Sequence, residues 1–395
     1  MNILHHQHLH LLVANRVAFL VIGVLEAAWA PIVPYVKSAF EIDEGTLGLL
    51  MLCSGFGSIC ALPLSGFLVN RFGAKRVVYV SGLMMAFALL AISLLINIWL
   101  TGVMLMIFGG CTITIDVAAN VNGIAIEHKT GRHLMSGFHG GYSLGTLIGA
   151  GTMSVLFTLG LIPEWAVVIC MVLTIIALVL GCRDLLPKDE LKTDTPVERP
   201  KKGGLYIPPM VVVVGLLCFI MYASEGAVMG WSAIFVSQER GIDMSMAGFF
   251  YTAFAIAMTI MRLCGDKIVD WLGQRIVVAG GALLIAVGFL IVILIDNAVA
   301  AVIGFALVGC GAANVVPQLV SFAAHIKGMA LHNIISLINA FGYSGILIGP
   351  VIIGFVGKQY GLHMSFFGIA VFALIVSVVS SVVLKTNGTT SLSKV

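Results

Sequence analysis

Four ionisable side chains stand inside stretches that are otherwise almost wholly apolar: Glu26, Asp116, His139 and Glu225. A charge at membrane depth costs about 2.5–3.5 kcal/mol on insertion scales, so such residues normally face a cavity or a partner. Carboxylates can bind and release protons, as can an imidazole, the side chain most easily moved across neutral pH. The same groups can hydrogen-bond a polar solute.

Their neighbours extend that chemistry. Trp29 follows Glu26 at i+3, on one helical face, and an acid beside an aromatic wall suits a polar ring-like solute. Asp116 and Asn120 are one turn apart, with Thr112 a turn earlier. His139 and Tyr142 are also a turn apart, within a glycine-rich run, and Tyr222 precedes Glu225 by a turn. Asn314 and Gln318 flank Pro317 and offer amides to a hydroxylated solute; Asn339 stands where the second half repeats His139. The expected proton-coupling groups are Glu26, Asp116, Glu225 and His139. The expected solute-binding groups are Glu26, Trp29, Asp116, Asn120, His139, Tyr142, Tyr222, Glu225, Asn314, Gln318 and Asn339. The bland alternative is an interhelical hydrogen-bond clamp, which polar residues in membranes often provide. Arg262, with Asp266 one turn later, reads as a structural pair.

The elements that must hold these groups are membrane helices. The hydrophobic share is 60%, the charged share 10% and the mean hydropathy +1.09. Soluble domains carry about 25% charged residues, so a water-soluble fold is excluded. A span needs roughly 20 mostly apolar residues. Twelve candidates lie near 11–35, 44–69, 76–97, 99–126, 134–160, 164–183, 206–237, 245–270, 276–296, 298–325, 330–357 and 362–384. They are numbered here as spans 1 to 12. The expectation is an all-α membrane protein with an N-terminal six-helix bundle at 1–183, a charged linker at 184–205 and a C-terminal six-helix bundle at 206–395. Asp43 and Asp243 precede spans 2 and 8 as helix N-caps.

The chain also repeats itself at an offset of 199 to 201 residues. Glu26 recurs as Glu225, Gly66 as Gly265 and Gly73 as Gly273. Gly109, Gly145 and Gly149 recur as Gly309, Gly345 and Gly349. Two homologous halves with a site between them is a common design of secondary transporters. Lysine and arginine fall overwhelmingly on one side if both termini are cytoplasmic, which sets the orientation.

Several function classes find no support. No G-x-x-x-x-G-K-[ST] loop is present, so energy must come from an ion gradient rather than ATP. The eight cysteines are scattered singly and imply neither a zinc site nor a disulfide framework. Basic residues sit in short loops rather than on one patch, so nucleic acid is no partner. The His-rich N-terminus, with His5, His6, His8 and His10, reads as a solvated tail. No cleavable signal peptide is expected, and no metal or cofactor.

The loop between spans 2 and 3 reads Gly66-Phe-Leu-Val-Asn70-Arg71-Phe72-Gly73-Ala74-Lys75-Arg76. It resembles the G-x-x-x-D-R-x-G-R-R/K signature of the major facilitator superfamily. A second copy, with Asp270, Gly273 and Arg275, lies between spans 8 and 9. The resemblance implies the major facilitator fold, with two pseudo-symmetric bundles, spans 1 and 7 lining a central cavity, and alternating access. It gives Asn70, Arg71, Gly73, Lys75, Asp270, Gly273 and Arg275 gating roles. Asn70 departs from the signature's acid, which implies a weaker first latch. Asp116-Val-Ala-Ala-Asn120 resembles a stretch of fucose-permease-like sugar carriers, in which acids on spans 1 and 4 serve substrate and proton.

The expected function is therefore not enzymatic. It is proton-coupled secondary active transport of a small polar organic solute (a sugar, polyol or cyclitol-like molecule), by a monomer in the lipid bilayer of the cell inner membrane. The alternative is a proton-driven drug or metabolite efflux antiporter, whose adaptable pocket the methionines and phenylalanines could furnish. A receptor or scaffold fits poorly with an intact two-half repeat.

Overall fold

A computed structural model of the chain describes residues 8–131, 134–191, 207–323, 325–329 and 331–384. His5, His6 and the linker beyond residue 191 lie outside the described residues. Among the described residues every regular element is helical, as a chain in lipid requires when each backbone polar group must be satisfied within its own segment. The spans run Leu9–Ala39, Glu44–Phe72, Ala74–Ser93, Ile98–Thr130, Met135–Thr158 and Pro163–Gly181 in the first half. The second half runs Pro209–Glu239, Met244–Leu263, Gln274–Leu294, Ala298–Ala323, Leu331–Tyr360 and Leu362–Val383. Eleven of these are long and apolar enough to cross a membrane. The glycine-rich helix Met135–Thr158, of 24 residues, completes the twelve.

Two interruptions carry information. Span 1 tightens to a 3-10 turn over Ala30–Ile32, beginning one residue after Trp29. Pro31 has no N–H to give the α-helical ladder, and Trp29 N–H already donates back three residues to the Glu26 carbonyl at 3.3 Å. The helix therefore changes pitch within a turn of Glu26. Span 8 ends at Leu263, and a separate short helix follows at Gly265–Leu272, where the sequence predicts one continuous span to 270.

The glycines of the repeat turn out to be helix contacts. A Cβ on Gly145 would lie 2.2 Å from the Leu20 carbonyl oxygen, and one on Gly345 would lie 2.3 Å from that of Phe219. Spans 1 and 5, and equally spans 7 and 11, thus meet backbone to backbone. Gly109 does the same for spans 2 and 4, at 1.9 Å from Ser54 O, and Gly309 for spans 8 and 10, at 2.3 Å from Phe254 O. Small residues allow this close approach in lipid, where packing rather than water drives association. Gly73 and Gly273 have a different task. They sit at φ 82°, ψ 152° and φ 80°, ψ 152°, opening the helices of spans 3 and 9. That region is open essentially to glycine alone.

Two compact units divide the described residues. One gathers those of Met1–Ile42, Leu50–Glu198 and Asp243–Thr252, the other those of Asp43–Leu49, Arg199–Ile242 and Ala253–Val395. The opening turns of spans 2 and 8 are therefore exchanged. In the second unit, Asp43 pairs with Lys358 at 2.8 Å, and Gly48 packs on Pro350. In the first, Gly248 packs on Ser154 and Pro31. Both aspartates cap as expected: Asp43 accepts from Thr46 N–H and Asp243 from Ser245 N–H, each at 2.8 Å. Lys358, with the Thr46 N–H, holds the Asp43 carboxyl down at about 2.

Substituting Gly145 or Gly345 by leucine should lower the stability of purified protein by about 1–3 kcal/mol or more, from overpacking against backbone. Gly280, around which a Cβ would meet nothing within 4 Å, should accept alanine without loss. Thermal unfolding in detergent checks both. Equal behaviour of the two classes would refute the contact assignment.

Candidate functional site

In the first unit, three helices bring polar groups together. Glu26 is half-buried on span 1, and Tyr142 Oη on span 5 donates to its Oε2 at 3.0 Å. Gly23 makes this reach possible, since a Cβ there would lie 2.2 Å from the Tyr142 carbonyl oxygen. Asp116 is half-buried on span 4, which packs against span 1. Asn120 donates its Nδ2 to the Asp116 carbonyl at 2.9 Å, which folds the amide back along its own helix. Thr112 likewise donates to Phe108 O, at 3.0 Å. Trp29 is 7% exposed. His139 is exposed and lies against Phe19, with ring centroids 4.8 Å apart. Among the described residues, neither Glu26 nor Asp116 pairs with a lysine, arginine or histidine.

The second unit answers with a different set. Glu225 Oε2 lies 3.9 Å from an Arg262 Nη. Arg262 Nε also donates to Ala313 O at 3.4 Å, which ties spans 7, 8 and 10. Tyr222 stacks with Tyr343 at 6.2 Å between centroids. Asn314 donates to Met261 O at 3.0 Å and fills the space over Gly265, where a Cβ would lie 2.3 Å from its Oδ1. The repeat places Ser65 and Thr114 at the same crossing in the first half, with hydroxyls 3.0 Å apart. Asn314 is therefore engaged in holding two helices. Gln318 offers its backbone carbonyl to Gln274 Nε2 at 2.8 Å. Asn339 is half-buried on span 11.

The signature residues lie at helix ends. Asn70, Arg71, Asp270 and Arg275 are exposed. The segment following span 6 docks beneath the first copy. Lys188 Nζ donates to Arg71 O at 3.0 Å, and Lys75 Nζ donates to Arg183 O. An ammonium at the last carbonyls of the helix Glu44–Phe72 is favourably placed against its dipole. The segment is pinned further by two asparagines that are 0% exposed. Asn122 Nδ2 donates to Asn15 Oδ1 at 3.0 Å, and Asn122 Oδ1 accepts from Leu186 N–H at 3.0 Å. Sequence reasoning missed Asn15, Asn122 and Lys188 in these roles. Asn122 was visible only as a polar residue deep in an apolar span. Among the described residues no group of three or more metal-ligating side chains converges.

Residues 17–333 match the Major Facilitator Superfamily. The chain belongs to that superfamily. It is 40% identical over 367 residues to an uncharacterised MFS-type transporter of Yersinia pestis, covering 92% of this chain and 94% of the relative. The D323A mutant of the nucleoside transporter NupG superposes with a TM-score of 0.74 at 12% identity, covering 94% of this chain and 99% of NupG. The xylose transporter XylE from E. coli, in a partially occluded inward-open conformation, gives 0.73 at 12%, covering 96% and 99%. The expected fold class holds: an all-α, multi-pass membrane protein of major facilitator architecture, and a transporter by family.

Asn122→Ala would leave the Leu186 N–H and the Asn15 amide without partners, at a cost of about 1–3 kcal/mol. Hydrogen exchange should accelerate at Leu186 and along the segment after span 6. Unchanged protection there would show that the asparagine pair does not hold the segment.

Proposed function

We propose that this superfamily member is a proton-coupled secondary active transporter of a small polar organic solute, of the sugar, polyol or cyclitol kind, working by alternating access. The observation that carries the reading is the Glu26–Tyr142–Asp116 group, two carboxylates on neighbouring helices with no basic partner among the described residues. An isolated ionised carboxylate is too costly in a low-dielectric setting and neutralises instead. A proton arriving there cancels charge, and a proton leaving restores it. Coupling follows if solute and proton favour the same state of the carrier, because a ligand shifts an equilibrium only by its differential affinity for the two states.

The names of NupG and XylE support a polar, hydroxyl-bearing solute, since a nucleoside and xylose both present sugar hydroxyls. Tyr142 and His139 supply hydrogen-bonding groups for such a solute in the first unit, with the two acids, and Asn339 offers an amide in the second. The charge bias of the loops supports the inner membrane with both termini cytoplasmic. Arg71, Lys75, Asp270 and Arg275 then serve the switch between states rather than solute contact. Their replacement acts on affinity only through the population of the competent state.

A thermal-shift screen against sugars, polyols and cyclitols identifies a ligand by its stabilisation of the native state. With that ligand, Glu26→Gln and Asp116→Asn proteoliposomes should lose accumulation driven by a pH gradient. They should keep solute exchange at equal concentrations on both sides. Normal gradient-driven accumulation by either variant would defeat the coupling assignment.

A further inference from the structure

The repeat that relates Glu26 to Glu225 stops short of their surroundings. Arg262 on span 8 reaches Glu225. At the offsets of 199 to 201 that relate the halves, Arg262 corresponds to Pro63, Leu62 and Ala61 on span 2, none of which can carry charge. Among the described residues the first half has two acids without a cation partner; the second has an acid with one.

The Glu225–Arg262 pair is mostly removed from solvent, with side chains 20% and 32% exposed. Its guanidinium is not free to wander, because Nε also donates to Ala313 O. Arg262 occupies the last turn of its helix, where a cation is favoured by the dipole. Tyr222 lies one turn before Glu225 on span 7, and its ring stacks with Tyr343 on span 11. Neither tyrosine offers Glu225 a positive charge. Asn314 holds the Met261 carbonyl one residue away, which fixes the local backbone.

We propose that Arg262 is the built-in counter-ion of Glu225, and that this pairing withdraws Glu225 from proton exchange and leaves Glu26 and Asp116 as the exchanging acids. The proposal rests on the coupled-carrier reading above and sharpens it, since the sequence predicts all three acids as coupling groups. Arg262 is always charged, so the pair is neutral for as long as Glu225 stays ionised. Glu225 then acts as a positioning residue: it orients the guanidinium beside Tyr222 and binds no coupled proton. Breaking such a pair on one side leaves a buried charge unmatched and is strongly destabilising, whereas removing both partners is tolerated.

Infrared difference spectroscopy on full-length protein in liposomes tests this without a known solute. Taking the sample from alkaline to mildly acidic pH reads the C=O band of carboxylic acids that become protonated. Glu26→Gln and Asp116→Asn should each remove part of the parent band. The double variant Glu225→Gln/Arg262→Gln should keep that band whole. Arg262→Gln alone should gain intensity that the double variant lacks, and Arg262→Lys, which keeps the charge, should match the parent. Should Arg262→Gln fail to fold, parent against double variant decides the matter. Loss of band in the double variant overturns the proposal, because Glu225 would then exchange protons despite Arg262. If instead Glu26→Gln and Asp116→Asn leave the band whole, the assignment of exchange to those acids falls, and the coupled-carrier reading with it. The double variant's intact band would still support the counter-ion role.

Discussion

A carboxylate at membrane depth must meet a cation or give up its charge. The low dielectric around it permits no third state at acceptable cost. Much of the polar chemistry here follows from which solution each acid adopts. Asp43 sits at a helix end and meets Lys358. Glu225, inside a span, meets Arg262. Glu26 meets a neutral phenol, and Asp116 lies near it with an amide for company. Among the described residues no cation pairs with either acid at that one place, and that difference is what the proposed proton coupling rests on.

The halves are alike in backbone and unlike in side chains. Glycines at matched positions bring spans 1 and 5, and spans 7 and 11, to backbone contact. That close approach lets Tyr142 reach Glu26 in one half and lets Tyr222 lie over Gly342 in the other. The crossing of the second and fourth helices is filled by two hydroxyls in one half and by a glycine with an asparagine in the other. A shared scaffold with divergent fillings is what gives Glu225 a cation and leaves Glu26 with a phenol. The docking of Lys188 and Leu186 under the first signature copy adds a further asymmetry, by fixing the chain after span 6 to the helix ends it must leave.

What could be read from the sequence was whatever leaves a periodic or chemical mark. Apolar length marked the twelve spans, and the matched glycines marked the repeat. Asp43 and Asp243 marked helix starts. Pairings between distant helices left no such mark. Spacing suggested Asp266 as the partner of Arg262, one turn along, yet the structure breaks the helix at Cys264 and brings Glu225 to the guanidinium. Asn314 looked like a solute donor because amides in apolar helices are costly, and nothing in the sequence pointed to its hydrogen bond with the Met261 carbonyl. Trp29 had the right spacing for an aromatic wall, and in the structure it is largely buried. Tyr142 and Glu26 were each expected in the site, while their bond depends on a helix contact that only Gly23 and Gly145 hinted at.

The central claim is that solute movement carries protons through the first unit. The most direct measurement is of internal pH in proteoliposomes that hold a pH-sensitive dye and start with no gradient. Addition of a solute found by thermal shift should acidify the interior as the solute enters, and a protonophore should abolish the acidification while entry continues. Solute entry with no change of internal pH would contradict the account.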